Sequence, residues 1–399
     1  MKVLVADKLS DVALDGLGHL GMTVSYQPGL AAGALAGALD GVQVLVVRST
    51  RISAETLEAA PSLSLIVRAG AGVNTIDVAE AAARGIYVTN CPGRNKDAVA
   101  ELAIGLLIAC DRQIVNASQA LRSGLWQKKR FGQAHGLRGR TLGIVGVGAI
   151  GAAVARIAQG MGMEVLAWSP SLTEEKAEAL GARLARDPLQ IARESDAVSL
   201  HTAYVPATHH LVDEPFLQAM KDGAILVNTA RGAVVDTEAL KAAILSKGLR
   251  VGLDVFEEEP AGGEAPFPET SLAQLVTATP HIAASTAQAS EAVASEVVHI
   301  VAAFKRSGRP LNVVNVASRS PATHGLVVRH LNRVGVLASV LGSLRQEGIN
   351  VEEMDNTIFA GARAACCTLH LDRAPTEETL GTLRVMDSIL QISLEGRGA

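Results

Sequence analysis

Short apolar runs alternate with longer mixed stretches over most of the chain. KVLVA (Lys2–Ala6), VQVLVV (Val42–Val47), LSLIV (Leu63–Val67) and GIYVTN (Gly85–Asn90) read as buried strands. Helical spacing begins between them near Ser10, Ser53 and Asp77. The Ala- and Gly-rich stretch Gly29–Gly41 reads as a small-residue helix with its turns. A long helical pattern covers Lys96–Leu121. A second alternating series then runs from TLGIVGVGAIG to about His281, with strands at Leu142–Val145, Glu164–Trp168, Ala224–Asn228 and Val251–Val255. Alternation of this kind predicts α/β domains built on parallel sheets.

Another long helix is predicted over Ser285–Arg306, followed by the linker RPLNVVNVASRSPAT. The tail changes character. It reads strand (Leu326–His330), helix (Val336–Glu347), strand (Val351–Asn356), strand (Ala364–Leu371), helix (Glu377–Met386), strand (Ile389–Leu394). That βαββαβ order predicts a small ferredoxin-like module.

Composition narrows the class. The 399 residues are 48% hydrophobic, 19% charged and only 3% aromatic, which suits close-packed helices over parallel strands. A formal net charge of −4 argues against a nucleic-acid partner. Asp7 interrupts the N-terminal apolar run, so no signal peptide is expected. The longest apolar segment, Ala98–Cys110, carries Glu101 and is too short to span a bilayer. Cys91, Cys110, Cys366 and Cys367 show no metal-ligand spacing and read as reduced thiols of a cytoplasmic protein.

Gly146-x-Gly148-x-x-Gly151 follows an apolar strand and opens a helix at Ala149 and Ile150. In that setting the glycines allow a tight turn and close backbone approach to a pyrophosphate. The next strand ends in Ser169-Pro170, where an acidic residue would hold the ribose 2′-hydroxyl of NAD. The cofactor expected is NAD, with NADP open.

Arg231, Glu259 and His281 each lie beyond a strand of the second series, and strand ends of an open parallel sheet border one crevice. A hydride moving between a secondary alcohol and a nicotinamide needs a base for the hydroxyl proton, and His281 suits that task. Glu259 would orient the imidazole and balance its charge. Arg231 would hold a substrate carboxylate and polarise the carbonyl oxygen. Each has a plainer alternative: a surface ion-pair partner, part of the acidic run Glu257–Glu259, and a histidine satisfied beside Pro280.

With GIVGVGAIG, VNTARGAVVD, GLDVFEEEP and TPHIAAS together, the chain resembles the D-isomer-specific 2-hydroxyacid dehydrogenase family from Met1 to about Asn315. The resemblance implies two Rossmann-like domains. Residues 1–96 and 286–315 would form a substrate domain and residues 97–285 a nucleotide domain. It assigns catalysis to Arg231, Glu259 and His281, and a nicotinamide contact to Asp254. Thr229 and Ala230 would flank the cofactor. Arg48, the backbone around Ala71, Gly72 and Val73, and Asn95 would face the substrate. A structural salt bridge remains an alternative for Arg48. Lys128, Lys129 and Arg130 read either as a solvated basic turn or as help for a phosphorylated substrate, from a neighbouring subunit. Ala283 and Ala284 replace common glycines of the family, which is tolerable where φ stays negative.

Residues 323–399 resemble an ACT domain, an amino-acid-binding regulatory module. The matches are His330, Asn332 and Asn350, with Gly335 at the loop glycine and Val334 in place of a proline. The combination implies a phosphorylated 2-hydroxy acid, 3-phosphoglycerate, oxidised with NAD at the entry to serine synthesis. It further implies an L-serine effector and a homodimer or homotetramer. A module that only assists assembly is the alternative for the tail. For the whole chain the alternatives are an NADPH-dependent hydroxypyruvate or glyoxylate reductase and a non-catalytic dinucleotide sensor.

Overall fold

The computed structural model describes residues 1–30, 32–260, 264–317 and 319–396. The chain forms two compact units, Met1–Asn315 and Val316–Ala399. Residues 397–399, the end of the expected tail module, lie outside the described residues, as do Ala31 and Ser318 of the Ala/Gly-rich stretch and the linker.

The first unit holds two parallel sheets. One contains β1 (Lys2–Val5), β2 (Thr23–Tyr26), β3 (Val44–Val47), β4 (Leu65–Arg68) and β5 (Tyr87–Thr89), in the order β2-β1-β3-β4-β5. Central β3 is buried along its whole length, which is why it reads as an unbroken apolar run. β2 is an edge strand with no fully buried residue, so TVSY carries no such signal.

The other sheet contains β6 (Thr141–Val145), β7 (Glu164–Trp168), β8 (Arg183–Leu184), β9 (Ala197–Leu200), β10 (Ile225–Asn228), β11 (Arg250–Leu253) and β12 (Thr277–Ala278). Its order, β12-β11-β10-β9-β6-β7-β8, reverses direction between β6 and β9. A ligand crevice belongs at the carboxyl ends of the strands beside that switch point.

Two long helices join the sheets. The helical pattern expected over Lys96–Leu121 is two helices, Lys96–Arg112 and Ile114–Arg122, because Gln113 takes a left-handed conformation at φ 50°. The first buries Ala100, Ala103 and Leu107 against the second sheet, whereas the following helix buries none of its residues. Helix Ala287–Ser307, capped by Thr286, carries the chain back. Its Val297, Ile300 and Val301 pack under β1, β3 and β4.

The second unit runs β13 (His324–Leu331), helix Val336–Gln346, β14 (Val351–Ile358), β15 (Ala364–Leu371), helix Glu377–Arg384 and β16 (Ile389–Gly396). The sheet is antiparallel in the order β14-β15-β13-β16. Leu326, Val328, Leu369, Val340, Leu344 and Leu380 make its core. Among the described residues no helix is long and apolar enough to cross a membrane.

Candidate active site

The glycine loop fits a dinucleotide. Gly146 has φ 99°, and a Cβ there would run into the backbone of His201 and Thr202. A Cβ on Gly151 would strike the carbonyl of Gly146, so the helix starts hard against the turn. Gly148 caps helix Ala149–Gly160 with nothing within 4 Å of its missing side chain. Open backbone at a helix N-terminus is what a pyrophosphate needs. The Gly146 N–H donates to Trp168 O at 2.8 Å, which ties this loop to the end of β7 and to half-buried Ser169.

Around the loop, Thr229 Oγ1, Thr202 Oγ1 and His201 Nδ1 are buried without partners among the described residues. Orphaned polar atoms of this kind mark a polar ligand's place or a standing cost of about 1–3 kcal/mol each. His201 and Thr202 were not singled out by sequence; their position directly after a buried strand at the switch point was the available signal. Burial pushes the His201 imidazole down to about 4 from 6.5, and its Nε2 lies 2.8 Å from Ser199 Oγ.

Beyond β11 and β12 the catalytic candidates meet. His281 Nδ1 lies 2.6 Å from Glu259 Oε2, and Glu259 Oε1 accepts the Phe256 N–H at 3.1 Å. Burial acts to raise the Glu259 carboxyl, but the His281 hydrogen bond and charge, the Phe256 N–H and Arg231 outweigh it and hold the group below its ordinary range. With Nδ1 engaged, His281 presents Nε2. The histidine sits at φ 51°, in a left-handed turn that a non-glycine residue adopts only when its surroundings hold it there.

Asp254 supplies that hold. It is fully buried, and Oδ1 accepts Thr279 Oγ1 (2.6 Å) and Ile282 N (2.8 Å) while Oδ2 accepts Ala283 N (2.9 Å). These bonds anchor the turn that carries His281. Ala283 and Ala284 avoid positive φ, so the two missing glycines cost nothing.

Arg231 leaves β10 through Gly232 and donates Nη1 to the carbonyl of Ala230 at 2.6 Å. Burial lowers its guanidinium and Glu259 partly restores it. Its Nη2 lies against Gly72, so the loop after β4 touches the residue it was expected to assist. The cleft itself, about 930 Å³, is lined by Lys8, Arg48, Arg68, Asn95, Glu259 and His281 among others.

Arg68 is a further residue that the sequence did not single out. It ends β4, immediately before the loop already singled out. Burial, then the charges of Arg231 and Arg48, pull it down to about 10 from 12.5, and its Nε is buried without a partner among the described residues. Asn95 Oδ1, Thr75 Oγ1 and Ser10 Oγ around the same cleft are orphaned too. Arg48 makes no salt bridge among the described residues; it reaches Ser285 Oγ at 3.5 Å.

Val73 packs into the core of the first sheet, and Ala71 O accepts Asn90 Nδ2, which leaves backbone as their means of contact. Lys128, Lys129 and Arg130 line a separate surface hollow with Trp126. Cys91 is buried, and desolvation pushes its thiol up to about 12, so it is no nucleophile.

The second unit does not gather its three candidates. His330 Nδ1 is 2.8 Å from Leu331 O, and Asn332 donates to Ala362 O at 3.0 Å. Asn350 pairs with Glu352 and Asp372. His330 is level with Ala365, but Asn350 precedes Val351, which is level with Leu371. Six residues of strand, roughly 20 Å, separate the two ends.

Residues 104–283 match the model of the D-isomer specific 2-hydroxyacid dehydrogenase NAD binding domain. A D-3-phosphoglycerate dehydrogenase of Archaeoglobus fulgidus is 37% identical over 85% of this chain and 64% of its own length, so the chain spans less than two thirds of that relative. A glyoxylate reductase of Thermococcus litoralis is 42% identical over 71% of the chain and 86% of its own length. Among solved structures, an NADPH-dependent glyoxylate/hydroxypyruvate reductase of Sinorhizobium meliloti, in complex with NADP and malonate, is 30% identical at a TM-score of 0.67. It matches 78% of this chain and 96% of its own.

Proposed function

Since the chain belongs to the D-isomer-specific 2-hydroxyacid dehydrogenase family and carries its NAD-binding domain, we propose that it oxidises 3-phosphoglycerate to 3-phosphohydroxypyruvate with NAD. One observation carries the choice of substrate: Arg48, Arg68 and Lys8 line the same cleft as His281, with Arg231 at the mutual approach of Arg68 and Glu259. Arg68, repelled by both Arg231 and Arg48, is held beside them for more anionic charge than one carboxylate supplies. A phosphorylated hydroxy acid brings two anionic ends.

The roles follow from the chemistry of each group. Arg231 holds the substrate carboxylate and polarises the oxygen on the reacting carbon. The N–H groups of Ala71, Gly72 and Val73, which donate no hydrogen bond among the described residues, assist at the same carboxylate. Arg48 and Arg68 take the phosphate end. His281 Nε2 removes the hydroxyl proton, and ionised Glu259 at Nδ1 stabilises the imidazolium that results. The chemistry that NAD supplies when bound is acceptance of the hydride; Gly146, Gly148 and Gly151 would hold its pyrophosphate, with Thr229 and Ala230 beside it. In this reading residues 1–96 and 286–315 make the substrate domain and residues 97–285 the nucleotide domain.

The second unit, with its βαββαβ order, is proposed to be an ACT module that responds to L-serine. His330, Asn332 and Asn350 act on one ligand only where two copies of the module meet, which asks for a homo-oligomer. A coupling of about 1–3 kcal/mol would give clear inhibition.

A glyoxylate or hydroxypyruvate reductase is the second reading, favoured by the relative of that activity at 42% identity. A dinucleotide sensor without catalysis would have no use for the His281–Glu259 pair. The test is a steady-state panel of phosphohydroxypyruvate, hydroxypyruvate, glyoxylate and pyruvate with NADH and NADPH. The highest kcat/KM is expected for phosphohydroxypyruvate; a tenfold preference for an unphosphorylated acid would establish the second reading instead.

A further inference from the structure

A second histidine–glutamate pair stands behind the catalytic one. The acidic run after β11 divides its side chains: Glu259 goes to His281, Glu258 is exposed, and Glu257 turns to His210. His210 Nε2 lies 2.5 Å from Glu257 Oε1, and Glu257 Oε2 accepts the Thr237 N–H at 3.1 Å. His210 lies beyond β9, Thr237 beyond β10 and Glu257 beyond β11, three adjacent strands of one sheet. One carboxylate therefore fastens the segments that leave all three.

The backbone repeats the fastening. The His210 N–H donates to Ala233 O at 2.9 Å, the Val212 N–H to Val234 O at 3.0 Å, and the Asp236 N–H to Val212 O at 3.0 Å. The segment after β9 is thus laced to the turn that carries Arg231. His210 adopts φ 49°, a left-handed conformation that a non-glycine residue keeps only where its surroundings hold it. On the other side of the pair, Gly232 packs directly against the backbone of Phe256 and Glu257.

Charge suits the arrangement. Burial acts to raise the half-buried Glu257 carboxyl, but its bonds to Thr237 and His210 outweigh it and hold the group below its ordinary range. His210 Nδ1 faces Asp236 Oδ2 at 3.9 Å, so the imidazole stands between two carboxylates. His209 stacks on it with ring centroids 4.0 Å apart, and Tyr204 meets His209 edge-on. Neither His210 nor Glu257 lines the cleft that the described residues form around His281.

We propose that His210 and Glu257 are positioning residues for the dehydrogenase reaction, holding Glu259 in place against the Arg231 turn. Glu257 is two residues from Glu259, so a shift of its backbone carries Glu259 with it. Catalysis is sensitive to such shifts, because a misplacement of about 1 Å can cost about 10²-fold in rate. The inference rests on the catalytic reading of Glu259 and His281 above.

Steady-state kinetics on the full chain tests it, with whichever acid of the panel above is turned over fastest. Glu257→Ala should lower kcat about tenfold and leave KM and the Kd for NADH within about twofold. Glu257→Gln keeps an oxygen for the Thr237 N–H and should retain most of the rate, whereas His210→Ala should resemble Glu257→Ala. Each variant is assayed well below its Tm, with circular dichroism to show an intact fold. A double-mutant cycle separates positioning from stability: with Glu259→Ala already present, Glu257→Ala should cost less than about threefold more. The full tenfold loss in that background, or a lowered Tm with unchanged kcat, overturns the proposal. Normal turnover by His281→Ala would instead overturn the catalytic reading beneath it.

Discussion

Gly232 lies so close against the backbone of Phe256 that no side chain fits between them. The contact locks the turn that carries Arg231 to the segment that leads to Glu259. The glycine is thus required for close approach, whereas its φ is one any residue adopts. Gly232→Ala should lower stability by about 1–3 kcal/mol, since backbone has to move. A fall in Tm with a parallel loss of kcat/KM is the expected result. Unchanged values of both would show that the two turns move independently.

His281 and Glu259 divide the labour at one imidazole. His281→Ala should lower kcat by about 10²–10⁴-fold, while the Kd for NADH, read by fluorescence, changes little. Glu259→Gln keeps a hydrogen-bonding group but removes the charge that balances the imidazolium. It should lower kcat by a smaller factor with KM nearly unchanged. A KM effect alone in either variant would move these residues from chemistry to binding.

Arg68 stands under repulsion from Arg231 and Arg48 until an anion arrives. Arg68→Met should raise the Tm of the free protein, because a buried like-charge contact disappears. The same change should raise KM for phosphohydroxypyruvate by about tenfold or more, the loss expected for a charge-assisted hydrogen bond. KM for glyoxylate should move far less. Equal changes for both acids would mean that Arg68 does not read the phosphate.

His201 makes stability depend on pH. Its folded value is about 4 against an ordinary 6.5, so the unfolded chain takes up the proton first as pH falls. The contribution is fully present above pH 6.5 and is lost progressively down to about 4. The shift sets an upper bound of roughly 3 kcal/mol. Urea midpoints between pH 7.5 and 5 should fall more steeply for the wild type than for His201→Asn. Identical slopes would remove His201 as the source.

Much of this molecule was legible in one dimension. Buried parallel strands such as β3, β6 and β10 appear as short apolar runs because both faces are covered. The glycine fingerprint is equally local: a tight turn and a helix start are set by neighbours in sequence. Asp236 capping helix Thr237–Lys247 by accepting the Ala239 N–H is another local fact. Edge strand β2 escaped notice because it has little to bury. The break at Gln113 escaped because apolar spacing runs through it.

What only the tertiary structure decided is how distant groups share space. Arg68 looks like the end of a strand until packing sets it beside Arg231 and Arg48, far away in sequence. The hold of Asp254 on the His281 turn exists only once folding wraps that turn around it. Asn350 and His330 match one effector-binding pattern, and only the sheet register shows them at opposite ends. Sequence pattern records which surfaces a segment buries; charges and hydrogen-bond partners depend on through-space distance, which only the folded chain supplies.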